Sequence, residues 1–321
     1  DFHFDGARLF DFDASSHTFV VARRLLGRGG VHVLTKVSLL SEGETEDIQL
    51  PDSSKAVKDL KVSPHGRLVM LASLGRKLLI LSTESNNTIL AYDLPAAAWS
   101  CAWDCCDSHY VYTGLQNGTV LQFDMRKTAG CTAALAEFAC NPVHTLASLP
   151  SSSSGYAAVV AASSAGLCGY EFAGSERRPF VFPESGNCGV CISASCSVSG
   201  DYVVASYRPR VEALNPNVQR AQSSTVGTHV VYRRSECLSY ERLGAARGNV
   251  DVTRLPRSAV IDGVYENHPV FASADESTDE IVFRELPDFT VLDRIPPRKH
   301  PVRDIKFDSR LSSGTLGCLC D

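Results

Sequence analysis

No run of apolar residues in this 321-residue chain approaches the roughly 20 that a membrane-spanning helix needs. The longest, Leu78 to Leu81 and Ala157 to Ala162, have the length of single strands. Basic residues are not in excess. Lys and Arg number 31 against 36 Asp and Glu, a net charge of −5, which argues against a protein that coats DNA. The start, from Asp1 to Asp5, has neither the basic region nor the apolar core of a signal peptide, and the missing initial Met predicts a fragment. Gly at 23 and Pro at 15 stand near background, which excludes a low-complexity chain.

Catalytic motifs are missing too. There is no phosphate-cradling Gly loop, no His-Glu-x-x-His and no Gly-x-Ser-x-Gly, so no catalytic residue is expected. The nine histidines are scattered, with His65 in a turn and His268 and His300 beside prolines, and they are expected to be solvated. Asp11, Asp13 and Asp304 are inward acids at strand ends, ordinary in the all-β architecture derived below.

What is present is apolar material, 44 % of the chain, with twelve cysteines among it. A disulfide framework suits short secreted chains, whereas Cys101, Cys168 and Cys191 sit inside strand-like runs and are expected as buried, reduced thiols. Cys188-x-x-Cys191, with Cys196 nearby, has the spacing of zinc ligands. A structural zinc needs four, no matching second pair follows, and no metal is expected there.

Short period-2 segments rich in β-branched and aromatic residues recur between Gly, Asn, Ser and Pro clusters, and no long stretch follows a 3.6-residue period. Residues 51 to 62 come nearest to a helix, and Pro51-Asp-Ser-Ser makes them a loop leading into a strand. The chain is all-β. Its strands form a repeat: Leu60, Cys101, Leu146, Ile192, Ile261 and Ile305 are equivalent, at intervals of 41, 45, 46, 69 and 44. Four of these five match the ~40–45-residue period of a four-stranded propeller blade.

Blades are predicted to start at Ala7, Val57, Ala98, Val143, Gly189, Ser258 and Pro301, seven in a single propeller over 1–321. The last stops mid-blade at Asp321, and residues 1–6, through Phe2 to Phe4, are expected to supply its outer strand and cover the bare edge. The long interval is blade five with an inserted surface loop at 208–229. Ile192, equivalent to Leu60 and Ile305, is expected to face between blades.

The best repeat runs from Tyr112 to Asp124. Asn117-Gly118 predicts a type I′ hairpin turn, with φ > 0 at both residues. Phe123-Asp124 stands where a WD repeat has Trp-Asp, while the Gly-His dipeptide and the Asp-His-Ser-Trp network of such repeats are missing. The pattern is a degenerate WD repeat.

Charge is unevenly spread. Residues 208 to 257 hold nine Arg, no Lys and four acids, and residues 258 to 293 hold nine acids and Arg284 alone. Arg208, Arg210, Arg233 and Arg234, with Tyr207 beside them, are the candidate partner-binding residues, since guanidinium forks bind carboxylates or phosphates. The neighbouring acids Asp275, Glu276, Asp279 and Glu280 are expected to neutralise part of this sector.

Tyr92 to Trp103, running into His109 to Arg126, resembles the C-terminal propeller of the RING finger and WD repeat E3 ubiquitin ligases of the Fanconi anaemia and replication-stress pathway. Val203 to Pro209, Val31 to Leu50 and Ala274-Asp-Glu276 fit the same family, whereas the 208–229 loop departs from it. The resemblance implies a nuclear ligase that reaches stalled forks and interstrand crosslinks through replication protein A, with the propeller as recruiting module and further substrates at the fork. It implies zinc only in an upstream RING, so no cofactor is expected here. Trp103, Asn117, Gly118 and Asp124 would be structural. Recruitment ranks first, ahead of direct binding of single-stranded nucleic acid or phosphopeptide and of a propeller enzyme.

Overall fold

A computed structural model describes residues 2–25, 27, 30–41, 43–135, 140–150, 157–173, 176–210, 227–235, 239–248, 255–265, 268–296, 300–311 and 314–320. Among them are 26 strands and two 3₁₀ turns, Asp52–Ser54 and Ser185–Asn187. The first sheet holds β1 (Ala7–Asp13), β2 (Thr18–Leu25), β3 (Val31–Ser38) and β4 (Thr45–Gln49). The second holds β5 (Val57–Val62), β6 (Leu68–Ser73), β7 (Lys77–Ser82) and β8 (Thr88–Asp93), and the third β9 (Ala98–Trp103), β10 (Tyr110–Leu115), β11 (Val120–Asp124) and β12 (Ala133–Leu135). Then follow β13 (Thr145–Pro150), β14 (Ala157–Ser163), β15 (Gly166–Ala173) and β16 (Glu176–Val181). Next come β17 (Val190–Cys196), β18 (Tyr202–Arg208), β19 (Gly227–Arg234) and β20 (Tyr240–Gly248). The chain ends with β21 (Ala259–Tyr265), β22 (His268–Asp275), β23 (Glu280–Glu285), β24 (Thr290–Ile295), β25 (Val302–Asp308) and β26 (Thr315–Cys320).

Among the described residues six sheets have four strands and one has two, and in each the neighbours are consecutive in the chain. Sheets begin within two residues of the expected blade starts, and Leu60, Cys101, Leu146, Ile192, Ile261 and Ile305 are all on first strands and at most 4 % exposed. The repeat read from the sequence is the repeat of the fold.

Contacts divide the chain into two units: Asp1–Pro150 with Lys306–Leu319 and Asp321, and Ser151–Ile305 with Cys320. In the first unit the second sheet is buried on both faces. Val69, Leu71, Leu79 and Leu81 pack with Leu9, Val20, Leu34 and Ile48, while Met70, Ala72, Leu78 and Ile80 pack with Cys101, Val111, Leu121 and Phe123. Alternate side chains point to opposite faces, so a strand covered on both sides must be apolar throughout, and Leu68-Val-Met-Leu-Ala is. In the second unit Val204 and Val231 pack with Val260, Phe271, Leu286 and Phe289.

Three details depart from expectation. Residues 2–4 form no strand, and the β25–β26 sheet has two strands. Instead the rings of Phe2 and Phe4 contact Phe19 at 5.1 and 6.3 Å, burying aromatic area against the first sheet. The Asn117-Gly118 turn has φ of +86° at Gly118 and no left-handed Asn117. Gly118 N–H donates to Leu115 and Leu115 N–H to Thr119, which is the three-residue loop with a terminal left-handed glycine. Asn117 Oδ1 accepts the Thr119 N–H at 3.3 Å and holds that geometry. The expected 208–229 loop is shorter at both ends, since Arg208 closes β18 and Gly227 opens β19. Its interior, 211–226, lies outside the described residues.

Candidate functional site

Carboxylates do structural work at the strand ends. Asp11 Oδ2 accepts the Val62 N–H at 2.8 Å and Oδ1 meets Lys306 Nζ at 3.2 Å. Asp13, fully buried, accepts N–H groups from Ser15, Ser16 and Arg67. Burial pushes the Asp13 carboxyl up, and the hydrogen bonds from Ser15, Arg67 and Ser16 outweigh it and hold the group below the ordinary range. Asp124, 2 % exposed, binds Arg126 through Nε at 2.8 Å and Nη2 at 3.0 Å and accepts its N–H. Asp308 and Arg310 repeat that Asp-x-Arg arrangement, with Nε at 3.0 Å and Nη2 at 2.6 Å. Trp103 is 8 % exposed and donates Nε1–H to the Lys61 carbonyl at 3.0 Å.

The arginine sector is not one surface. β18 and β19 are antiparallel, with Tyr207 opposite Thr228 and Tyr202 opposite Arg233. Arg208 and Arg210 therefore lie at one end of the β17–β20 sheet and Arg233 and Arg234 at the other, about 20 Å apart at ~3.3 Å per residue. A period-2 strand read without its partner hides this. Tyr207 is corrected as a contact residue: it is fully buried, with its hydroxyl 2.9 Å from Ser185 Oγ and 3.4 Å from that of Tyr232. Desolvation, helped by Cys191 and Tyr232, pushes its phenol well above the ordinary range. Arg208 is half-buried, and Arg210 is exposed and donates to the Gly186 carbonyl at 2.5 Å. Gly189, at φ +132°, lies where a Cβ would come 2.2 Å from the Arg208 carbonyl oxygen, so the backbones approach closely there. Arg233 is exposed and Arg234 half-buried.

The acidic loop draws a cation from its own sheet: Arg294 of β24 meets Glu280 at 2.7 Å. Asp275 accepts the N–H and hydroxyl of Ser277. Arg242, within the basic stretch, pairs with Glu184.

Two expectations about titratable groups change. His229 is not a solvated turn residue. It lies on β19, 3 % exposed, with Nδ1 at 2.8 Å from Ser206 Oγ, and burial together with nearby Arg284 pushes it down to about 3. Of the cysteines expected to be buried, Cys101 and Cys191 are and Cys168 is half-buried, whereas Cys105, Cys106, Cys131, Cys140 and Cys318 are exposed. Cys188 donates to the Glu184 carbonyl and Cys191 to that of Ser193, so each is engaged by backbone.

One cluster was not singled out from the sequence: Asp104, Cys105 and Cys106, whose donor atoms lie within 4.8 Å of one another. A Cys-Cys dipeptide directly after an acid was its only signal. Burial pushes the Cys105 thiol up to about 11, with the Ser148 hydrogen bond acting against it. Nothing else among the described residues gathers a possible set of three metal ligands.

Comparison with known proteins agrees on the fold. At TM-score 0.72 and 13 % identity, the RRP9 WD40 repeats match 100 % of this chain and 88 % of theirs. The U3-55K structure matches at 0.71 and 12 % identity over 100 % of this chain and 90 % of its own. At these identities the likeness speaks for the fold, a WD-repeat β-propeller. Human E3 ubiquitin-protein ligase RFWD3 is 29 % identical over 181 residues, 54 % of this chain and 23 % of the human protein. The Ailuropoda melanoleuca protein of that name is 28 % identical over 180 residues, with the same two shares. The matched stretch thus spans under a quarter of these relatives. A family model described as the E3 ubiquitin-protein ligase RFWD3 WD40 domain matches residues 3–320. Because that match runs through every sheet described above, the chain belongs to the RFWD3 WD40 domain family.

Proposed function

We propose that this chain is the partner-recruiting propeller of a nuclear RING-type E3 ubiquitin ligase that acts in the DNA damage response and in interstrand crosslink repair. It holds replication protein A at stalled forks while an upstream RING engages the ubiquitin-loaded E2. The observation that carries the reading is the family match over residues 3–320. The chemistry of the scaffold supports a binding role, since its strand-end carboxylates are consumed by backbone N–H groups and arginines. A function on a fold of this kind resides in its loops and rims.

The end of the β17–β20 sheet that carries Arg208 and Arg210 is the part offered to the partner. Arg210 stands exposed there, and a fixed guanidinium suits an acidic segment. The test is binding of the purified chain to the separate replication protein A subunits. One subunit is expected to bind, and the affinity to fall several-fold between low and high salt and on Arg210→Ala. Binding to no subunit overturns the partner. Tight binding to single-stranded DNA by the chain alone, with a steep salt slope, would replace the proposal with direct nucleic-acid recognition. The separation of Arg210 from Arg233 argues against that second reading, because a strand of nucleic acid needs a continuous basic track.

A further inference from the structure

The turn after β9 gathers two thiols and a carboxylate. In an extended strand adjacent side chains point apart, but Asp104 closes a turn here. Its Oδ1 accepts the N–H groups of Cys106 at 2.8 Å and Asp107 at 2.9 Å, and its Oδ2 accepts the Tyr112 hydroxyl at 2.6 Å. Cys105 and Cys106 are thereby brought to one side, with their sulfurs 3.6 Å apart. Ser148 of β13 fixes the first of them: its Oγ accepts the Cys105 N–H at 3.1 Å and donates to Cys105 Sγ at 3.4 Å.

We propose that Asp104, Cys105 and Cys106 form a binding site for a thiophilic divalent cation of the zinc class, with three protein ligands and a fourth position open to solvent. The geometry discriminates among ions. Two thiolates at about 2.3 Å from a tetrahedral ion are about 3.8 Å apart, whereas a linear two-thiolate ion at that bond length needs about 4.6 Å. The sulfurs stand at 3.6 Å, close to the tetrahedral edge. Asp104 is oriented by three hydrogen bonds in the way that outer partners hold a ligating carboxylate: the two N–H groups occupy both lone pairs of Oδ1, and Oδ2, which accepts only the Tyr112 hydroxyl, keeps one for the ion. Both cysteines are exposed, so an ion reaches them without opening the fold. On binding, each thiol releases its proton to the buffer and the sulfur gives a lone pair to the ion, which keeps its charge. No electron is transferred.

The Cys188-x-x-Cys191 spacing that first suggested zinc is the internal control. Cys191 is buried and bonded to its own strand, and among the described residues the pair does not gather with a third ligand.

The experiment is a titration of the metal-free, reduced 321-residue chain with cobalt(II), read by the visible bands of a tetrahedral ion and the near-ultraviolet thiolate charge-transfer band, followed by zinc. One equivalent of cobalt is expected to give both bands, and zinc to abolish them. Cys106→Ser should weaken binding at least tenfold, while Cys188→Ser leaves it unchanged. Zinc should raise the melting temperature of the parent and not that of Cys106→Ser, a readout that depends on linkage rather than colour. Cys105→Ser, whose thiol also contacts Ser148, serves as the second ligand variant, with its unliganded melting curve recorded alongside. Absence of tetrahedral bands in the parent, or bands of equal affinity in Cys106→Ser and Cys105→Ser variants that melt like the parent, would overturn the site.

Discussion

The carboxylate of Asp59 on β5 accepts the backbone N–H of Cys101 on β9 at 2.9 Å, so the first strand of one sheet is tied to the first strand of the next by a side chain. The same kind of tie joins Asp11 to Val62, and Ser100 Oγ donates to the Val143 carbonyl at 2.6 Å. First strands of separate sheets share no ladder. Their facing backbone groups need partners of another kind, and short polar side chains supply them.

Asp59 is 3 % exposed and Cys101 fully buried, so Asp59→Ala leaves a buried N–H without its acceptor. The expected loss is about 1–3 kcal/mol, and Asp59→Asn, which keeps an oxygen in place, should lose less. Urea unfolding midpoints check this. A midpoint for the Ala variant equal to that of the parent would show that water or a neighbouring group takes over the N–H.

Ile192 is 3 % exposed on β17. A lysine there buries a charge, at a cost of several kcal/mol against a total stability of about 5–15. Ile192→Lys is therefore expected to lose partner binding through unfolding, seen as a large fall in melting temperature. A variant that melts like the parent and still fails to bind would make Ile192 an interface residue instead.

The strands and their repeat were legible because their signal is local. Period-2 patterning and the spacing of Leu60, Cys101, Leu146, Ile192, Ile261 and Ile305 need no knowledge of partners, and all six residues are buried as first-strand cores should be. What the sequence hid depends on pairing. Arg208 and Arg233 read as one basic cluster, and only the register of β18 against β19 puts them at opposite ends. Tyr207 read as the neighbour of a contact arginine, yet alternation turns its ring inward to Ser185. Cys105 and Cys106 carried no spacing signal of their own, and the Asp104 turn that gathers them is a matter of three hydrogen bonds.

His229 gives the second unit an acid sensitivity of its own. Its folded value is about 3, set by burial and Arg284, against about 6.5 in the unfolded chain. Between those values the unfolded chain takes up a proton that the folded one refuses, so stability falls as pH drops below about 6.5. The slope from this one group approaches about 1.4 kcal/mol per pH unit. His229→Gln should flatten the pH dependence of unfolding between pH 6 and 4, whatever it does to stability at pH 7. An unchanged slope would mean that the imidazole is hydrated in the fold.

Asp308 acts in a lower window. Burial raises its carboxyl, but the Arg310 fork and the Arg310 N–H outweigh burial, and the group is held below the ordinary carboxylate range. Its folded value is depressed, so its contribution is fully present above about pH 4, the unfolded value, and is lost as pH falls through the folded one. Asp308→Asn removes that term and leaves Arg310, whose side chain is 51 % exposed, free to turn to water. The variant is therefore expected to be less stable than the parent at pH 7 and to approach it below pH 3, and the half-exposed partner limits the difference to about 1 kcal/mol. Unfolding midpoints at pH 7, 5 and 3 test the sign. If the gap between Asp308→Asn and parent stays constant across the three, the Arg310 pair contributes through shape alone and the charge on Asp308 has no part in it.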